Sequence, residues 1–434
     1  MSNELVGGLG VLALLVLLLL RIPVAFAIFA VGFVGVSVLA SPGNALSLLA
    51  SETYTVASNA ELIVIPLFIL MGNVATETGM SRKLYDAAYA VIGSIRGGLA
   101  SATVVGCAGF SALCGSSVAS ALTMGRVSIG EMERFNYSPK LSTGAVAAGG
   151  TLGILIPPST GFVIYAILTQ QSIGKLFLAG VIPGLVLMSL FVLMITVLAF
   201  IKPQLAPQGP KTNLQEKARG LLGAIPITVV IMITIGGIYS GLFSPVEAAA
   251  VGAGLVIVYG FTTRTLTPGS LWRSTRSAVV TTTTVMLILI AAHMLNPFLA
   301  LSHIPTAVGD MLMGLDVGPY GILLLILLTY LILGCFLEGF AMLVLTMPIF
   351  FPVITALGFD PIWFGVLVVL TLEMGLISPP VGINVFIVKS VAPKVPLGDI
   401  FIGVAPFWLM MLVAIALYVM FPQIVLFLPN TMIT

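Results

Sequence analysis

Long apolar runs recur along the whole chain and are separated by short stretches containing charged residues, glycine or proline. Many runs approach the roughly 20 residues with which an α-helix crosses a ~30 Å hydrocarbon layer. The pattern therefore predicts two series of helices. The first series covers 5–20, 23–40, 58–79, an amphipathic piece 81–96, 98–128, 140–168 and 176–201. The second covers 221–240, 245–262, 281–301, an amphipathic piece 303–316, 320–351, 360–388 and 399–427.

The composition indicates that the predicted helices cross a membrane. Of the 434 residues, 59% are hydrophobic and 7% are charged, and a soluble domain has no interior large enough to hide that much apolar surface. The first apolar run lacks a basic preceding region, so we expect a retained helix and not a signal peptide. Three cysteines without metal spacing imply no disulfide framework. The fold class expected is an all-α polytopic membrane protein.

The chain contains an internal repeat. "GILIPPSTGF", which begins at Gly153, matches "GLISPPVGIN", which begins at Gly375, and several other short matches follow in the same order at nearly the same offset. Such self-similarity indicates duplication of one structural unit. The organisation predicted is a first repeat at 1–201, a cytoplasmic linker at 202–220 and a second repeat at 221–434.

Two segments of each repeat do not read as ordinary membrane helices. The segments 98–128 and 320–351 have a glycine-containing tip at their centre, and each arm of about 14 residues spans only ~21 Å. We expect re-entrant hairpins there. In 140–168 and 360–388 a double proline predicts a broken helix, because proline removes backbone N–H donors and excludes helical geometry from the preceding residue.

A hairpin adds no membrane crossing, so each repeat has five crossings. Because five is an odd number, the second repeat starts on the opposite side of the membrane, and the two repeats are inverted. Lysine and arginine accumulate in cytoplasmic loops. With both termini in the periplasm, 16 of the 17 basic residues are cytoplasmic and only Lys175 is not. The 16 are Arg21, Arg82, Lys83, Arg96, Arg126, Arg134, Lys140, Lys202, Lys211, Lys217, Arg219, Arg264, Arg273, Arg276, Lys389 and Lys394.

Inverted repeats with discontinuous helices are typical of secondary transporters. Carbonyl groups freed between Gly153 and Pro157 can bind a hard cation, and the half-helix after Pro158 points its positive end at an anion. Ser159 and Thr160 either cap that half-helix or bind a ligand. The hairpin tips add hydroxyl and carboxyl groups. The residues expected to contact substrate are Ser116, Ser117, Pro158, Ser159, Thr160 and Asn384.

Buried charge is scarce in the predicted helices. Glu338 and Glu373 lie at depth, where carboxylates are candidates for function, although each could equally serve as a structural cap or hydrogen-bond partner. Because no lysine or arginine is assigned to the interior, helix N-termini and bound cations would balance an anionic substrate. This favours coupling to Na⁺.

The motifs "GFSALCGSSVASALTMG", "AAGGTLGILIPPSTGFVIYAI" and "EMGLISPPVGINVF" resemble the large membrane subunit of tripartite ATP-independent periplasmic (TRAP) transporters, within the ion-transporter superfamily. The resemblance covers essentially the whole chain. It implies an elevator-type, Na⁺-coupled importer in the bacterial inner membrane. It also implies a separate small membrane subunit and a periplasmic substrate-binding protein, with carboxylate-bearing solutes such as C4-dicarboxylates or sugar acids as substrates.

The resemblance also implies two Na⁺ sites, formed largely by carbonyl groups. The second double proline is followed by Val381 where the first is followed by Ser159, which puts side-chain participation at the second site in doubt. The first implied site comprises Ser111, Cys114, Gly153, Ile156 and Pro157. The second comprises Gly334, Gly375, Ser378 and Val381.

Three alternatives remain. A symporter of the same architecture that needs no binding protein is the nearest. An intramembrane serine protease would need a histidine beside Ser116 or Ser117, and the chain has only His293 and His303. The second repeat also lacks equivalent serines, since Gly339 and Phe340 stand at the corresponding positions. A passive channel does not require two equivalent helix breaks.

Overall fold

The computed structural model describes residues 2–209 and 213–432, so predictions for Lys211 and for the ends of the chain lie outside the described residues. The described residues form α-helices joined by short turns, with two brief 3₁₀ helices and a lone bridge between Arg96 and Gln208. This confirms the all-α fold class.

The described part of the first half, residues 2–201, contains ten α-helices. They are α1 (Asn3–Leu19), α2 (Val24–Leu39), α3 (Pro42–Ser58), α4 (Val64–Glu77), α5 (Met80–Ile92), α6 (Gly98–Cys114), α7 (Ser117–Arg134), α8 (Pro139–Leu155), α9 (Thr160–Thr169) and α10 (Ile173–Ile201). The helices α6 and α7 form the predicted first hairpin, and α8 and α9 are the predicted broken helix, bent by 40°.

The described part of the second half also contains ten. They are α11 (Leu214–Tyr239), α12 (Pro245–Thr262), α13 (Pro268–Leu301), α14 (Ile304–Met313), α15 (Gly318–Gly334), α16 (Gly339–Ala356), α17 (Pro361–Gly375), α18 (Ile383–Val391), α19 (Leu397–Met420) and α20 (Gln423–Thr431). Here α15 and α16 form the hairpin, and α17 and α18 the broken helix.

Three helix predictions need correction. The apolar pattern missed α3, because its serine, threonine and glutamate residues leave it only weakly apolar and largely exposed. The long helix α13 starts at Pro268, well before the predicted 281, where Thr267 caps it. The predicted helix 399–427 is divided into α19 and α20 beside Pro422, since proline cannot continue the backbone hydrogen bonding.

The two halves differ in one divided helix and one added helix. By position, α3 and α4 together correspond to the continuous helix α13, whereas α10 corresponds to α19, and α20 follows as an additional helix. The first break follows from Asn59, whose side chain accepts a hydrogen bond from the N–H of Glu61 at 2.9 Å and starts a short 3₁₀ helix. Among the described residues, seven helices are long and apolar enough to cross a membrane, or eight if α8 and α9 count as one span.

The helices form two packed groups. In the first, which we call the scaffold (α1–α4 and α11–α13), α2 packs on α13 and α4 on α12. In the second, which we call the site unit (α6–α10 and α15–α20), each half contacts the other: α7 packs on α18, α9 on α16 and α8 on α19. The amphipathic helices α5 and α14 connect the groups and pack on α6 and α16, respectively.

Glycines allow the backbones of α8 and α19 to touch where they cross. A Cβ atom on Gly144 would lie 2.2 Å from the carbonyl oxygen of Gly403, and one on Gly403 would lie 1.9 Å from that of Lys140. The Lys140 ammonium group also pairs with the Asp399 carboxylate at 3.1 Å. Small residues at such crossings are the usual route to close packing of membrane helices.

Gly144→Val is expected to force α8 away from α19 and to lower the free energy of unfolding by about 1–3 kcal/mol or more. The measurement is the melting temperature of the purified protein. Gly254→Val is the matched control, because no atom lies within 4 Å of a Cβ added at Gly254. Equal melting temperatures for the two variants would contradict the proposed role of this crossing.

Candidate functional site

The tip of the first hairpin is a two-residue turn with satisfied ends. Gly115 has φ +60°, in the left-handed region that glycine tolerates, and its N–H closes α6 by donating to the Ser111 carbonyl at 3.1 Å. Ser116 then caps α7, since its hydroxyl accepts a hydrogen bond from the Ala119 N–H at 3.4 Å. The serine-rich sequence therefore folds into a compact helix–turn–helix tip.

The first broken helix is seated directly on this tip. The Thr160 hydroxyl donates to the Gly115 carbonyl at 2.9 Å. A Cβ added at Gly153 would lie 2.6 Å from the Ser116 carbonyl oxygen, and one added at Gly115 would lie 2.6 Å from that of Pro158. The backbones are thus in contact on both sides of the break.

Hydroxyl and thiol groups cluster beneath the first tip. The Ser111 hydroxyl donates to the Cys107 carbonyl at 2.6 Å, and Ser120 lies 3.1 Å from the Cys114 sulfur and 3.4 Å from the Ser111 oxygen. All four side chains are buried. Cys114 Sγ also lies 3.6 Å from the Ser116 carbonyl oxygen, against which Gly153 packs, so Ser111 and Cys114 of the implied first Na⁺ site are connected to the tip that Gly153 contacts.

The residues around the first double proline also have contacts away from the hairpin tip. Ser159 is buried and caps α9 by accepting a hydrogen bond from the Phe162 N–H at 3.2 Å, so the capping alternative describes its contact in this structure. Ile156 and Pro157 line an apolar groove of about 550 Å³ between α5, α6, α10 and α11. In both breaks the peptide bond between the two prolines is cis.

The second tip and break are also in backbone contact. A Cβ added at Gly375 would lie 2.7 Å from the Gly334 carbonyl carbon. The Ser378 hydroxyl donates to the Met374 carbonyl at 2.6 Å and accepts a hydrogen bond from the Trp408 indole N–H at 2.9 Å. Unlike the buried first break, the second leaves Val381 and both prolines exposed. Three members of the implied second Na⁺ site, Gly334, Gly375 and Ser378, are therefore neighbours.

Both hairpin tips and both broken helices border one central cavity of about 110 Å³. The first half contributes the hydroxyl-bearing tip, and the second contributes carboxyl groups from its tip and from α17. The polar lining residues are Ser116, Ser117, Glu338 and Glu373. Two predicted substrate residues and both carboxylate candidates thus meet in one place.

Four other predicted substrate residues lie outside the cavity lining. Pro158, Ser159 and Thr160 are used in packing against the first tip or in capping α9. Asn384 is fully buried near the second break, where its side-chain oxygen and nitrogen have no hydrogen-bond partner. An unpaired buried amide of this kind is costly, so Asn384 stays a candidate substrate residue although it does not line the cavity.

The carboxyl groups of the cavity are unequal. Glu373 is 1% exposed, lies beside the Ser117 hydroxyl, and has one oxygen, Oε2, without a hydrogen-bond partner. Glu338 is half-buried and occupies the N-cap position of α16. Among the described residues, no lysine, arginine or histidine lines this cavity. His293 instead lies 2.9 Å from Glu52 in the scaffold, away from Ser116 and Ser117.

The structure corrects one equivalence between the repeats. Ser116 and Glu338 are both N-cap residues, of α7 and α16, so the two serines correspond to Glu338 and Gly339 and not to Gly339 and Phe340. Sequence reasoning treated Glu338 and Glu373 separately and missed that they share a cavity. The signal was available in the repeat: the same offset that pairs Gly153 with Gly375 pairs Glu338 with Ser116.

Comparisons with known proteins agree on one family. The family model described as "Tripartite ATP-independent periplasmic transporter, DctM component" matches residues 11–424. The C4-dicarboxylate TRAP transporter large permease protein DctM of Pseudomonas aeruginosa is 37% identical over 90% of this chain and 91% of its own length. The sialic acid TRAP transporter large permease protein SiaM of Vibrio cholerae is 32% identical over 95% of this chain and 96% of its own.

A solved structure supports the fold. The crystal structure of the Alcanivorax borkumensis YdaH transporter aligns with a TM-score of 0.62 at 15% sequence identity, over 89% of this chain and 90% of that one. At this identity the likeness shows a shared architecture. The arrangement of hairpins and broken helices described above is therefore found within a known class of fold.

Gly153→Val is expected to abolish solute uptake, because the added side chain would collide with the backbone of Ser116 and Ser117 and displace the hairpin tip. Uptake by cells that carry the complete transport system measures this, with surface expression checked in parallel. Gly130→Val is the matched control, since Gly130 has open space around it. Uptake at the wild-type rate by Gly153→Val would remove this contact from the mechanism.

Proposed function

The chain belongs to the DctM component family of tripartite ATP-independent periplasmic transporters, and we propose that it is the translocating subunit of a Na⁺-coupled, binding-protein-dependent importer of a carboxylate-bearing solute. The observation that carries the proposal is the cavity bordered by both tips and both broken helices. Discontinuous helices around a central site are the usual construction of a secondary transporter.

The cavity has a feature that suits a carboxylate. Helix α7 begins at this cavity, with Ser116, Ser117 and Val118 in its lining. The first N–H groups of a helix have no partner within the helix and, with the helix dipole, attract anions. The names of the relatives, which refer to C4-dicarboxylate and sialic acid, support the same class of solute.

The proposed Na⁺ sites lie where each tip touches its broken helix. The cation ligands available there are backbone carbonyl and hydroxyl oxygens, the hard ligands that suit an alkali cation. Among the described residues, no group of three or more His, Cys, Asp or Glu side chains is placed to hold a metal ion. The first site comprises Ser111, Cys114, Gly153, Ile156 and Pro157, and the second Gly334, Gly375, Ser378 and Val381.

We further propose that the site unit moves against the scaffold as an elevator. All four elements that border the cavity belong to the site unit. One contact between the groups is narrow: Gly72 of α4 lies so close to Cys114 of α6 that a Cβ there would be 2.6 Å from the Cys114 Cα. Helices α5 and α14, which contact the hairpins, are placed to serve as the connecting arms.

Contacts among the basic loops support their placement on one side of the membrane, which the positive-inside rule makes the cytoplasmic side. Arg96 bridges to Gln208, Ser138 donates to the Leu205 carbonyl, and Lys83 hydrogen-bonds Tyr259. At the opposite end, Asn3 donates to the Leu301 carbonyl, and Tyr239 contacts Thr431. We therefore propose an inner-membrane topology with both termini in the periplasm.

A topology test uses single cysteines in a variant without the three native ones. Leu242→Cys, in the exposed turn between α11 and α12, is expected to react with a membrane-impermeant maleimide on cells whose outer membrane has been opened. Lys394→Cys, between α18 and α19, is expected to react only after the inner membrane is broken. The reverse labelling pattern would invert the proposed orientation.

The transport proposal predicts uptake into proteoliposomes only when the chain is supplied with its small membrane subunit, its binding protein and an inward Na⁺ gradient. Replacing Na⁺ with K⁺ is expected to reduce uptake to the background of protein-free liposomes. Uptake that persists in K⁺ would contradict the coupling. Uptake by this chain alone would favour the symporter that needs no binding protein.

A further inference from the structure

The two halves of the molecule supply different chemistry to the central cavity. At equivalent positions the first half has hydroxyl residues, Ser116 and Thr151, where the second half has carboxyl residues, Glu338 and Glu373. Both glutamates line the cavity. An otherwise pseudo-symmetric site therefore has a hydroxyl side and an acidic side.

The helix N-termini at the cavity follow the same division. At α7 the cap is the neutral Ser116, so the positive end of that helix faces the cavity without a charged side chain of its own. At α16 the cap is Glu338, whose carboxyl group is near the N–H groups of Phe340 and Ala341. A carboxylate ligand thus has one favourable place, at α7, because Glu338 already occupies the corresponding place at α16.

The acidic side lacks a cationic partner among the residues that line the cavity, although the Ser117 hydroxyl lies beside Glu373. Glu373 is 1% exposed, its Oε2 atom has no hydrogen-bond partner, and the described residues that line the cavity include no lysine, arginine or histidine. A buried ionised carboxylate is costly unless an opposite charge or hydrogen-bond donors accompany it. A second carboxylate on a ligand would be repelled at this side, whereas a cationic group would be attracted.

We propose that the cavity takes a small zwitterionic solute, with a carboxylate at the N-terminus of α7 and an ammonium or quaternary ammonium group facing Glu373 and Glu338. The proposal rests on the proposed transport function and narrows its substrate class. The cavity volume of about 110 Å³ leaves room for several water-sized groups, which suits an amino-acid-sized solute.

The test measures ligand-induced changes in melting temperature of the full chain in lipid nanodiscs, in Na⁺ buffer. The probes are glycine betaine, 3,3-dimethylbutyrate and succinate. The first two have the same shape, but a carbon replaces the charged nitrogen in 3,3-dimethylbutyrate, so their comparison isolates the cationic group. Betaine is expected to raise the melting temperature in a saturable way, and the other two are not.

Removing the acidic charge is expected to weaken betaine binding about tenfold or more, because the cation loses a desolvated partner. The variants are Glu373→Gln and, in case that buried change prevents folding, Glu338→Gln at the half-buried tip. Asp316→Asn, an exposed carboxylate outside the cavity, is the control and is expected to bind betaine like the wild type.

Each other outcome overturns the proposal. Stabilisation by succinate or 3,3-dimethylbutyrate equal to that by betaine would show that the site needs no cation, while leaving the proposed import of carboxylates intact. No stabilisation by any probe would also reject the zwitterion, and the uptake experiment would then decide separately on transport. If Glu373→Gln changed the Na⁺ dependence of melting without changing betaine affinity, Glu373 would belong to a Na⁺ site.

Discussion

The structure depends on how four interruptions in membrane helices satisfy their backbone groups. An N–H or carbonyl group without a partner costs several kcal/mol in hydrocarbon, so each interruption must be buried in protein or border a polar cavity. Here each hairpin tip packs against a broken helix. The Gly115 carbonyl at the first tip accepts a hydrogen bond from the Thr160 hydroxyl, and the backbone of Gly334 at the second tip touches that of Gly375. Tip and broken helix are therefore required as a pair.

This pairing explains why glycine and serine are concentrated at the centre of so apolar a chain. Because Gly153 and Gly375 have no side chain, they can approach another backbone to within contact. In the remaining space, only short hydroxyl side chains can cap the helix ends. The polar atoms left over after the pairing, on Glu373 and Asn384, are the ones a ligand could satisfy. The same few segments therefore hold the fold together and offer polar groups to a ligand.

Much of this could be predicted from the sequence. Fold class, repeat, hairpins and broken helices followed from apolar runs, glycine and proline, because these signals are local. The helix α3 was missed because a helix on the outside of a bundle has no strong apolar stripe. The meeting of Glu338 with Glu373 depends on contact between segments from different parts of the second repeat, and local spacing does not reveal it. The capping of α9 by Ser159 was one of two predicted alternatives, and the sequence alone could not choose between them.

The central claim is that the two tips and two broken helices form one rigid unit that carries the cavity past the scaffold. Pulsed electron spin resonance distances between single-cysteine labels test it most directly, with Val258 on α12 as the scaffold position and Leu409 on α19 and Leu324 on α15 as positions in the site unit. The account predicts that the distance from Val258 to Leu409 changes between Na⁺ and K⁺ buffers while the distance from Leu324 to Leu409 stays constant. A constant Val258 to Leu409 distance, or a changing distance within the site unit, would contradict it.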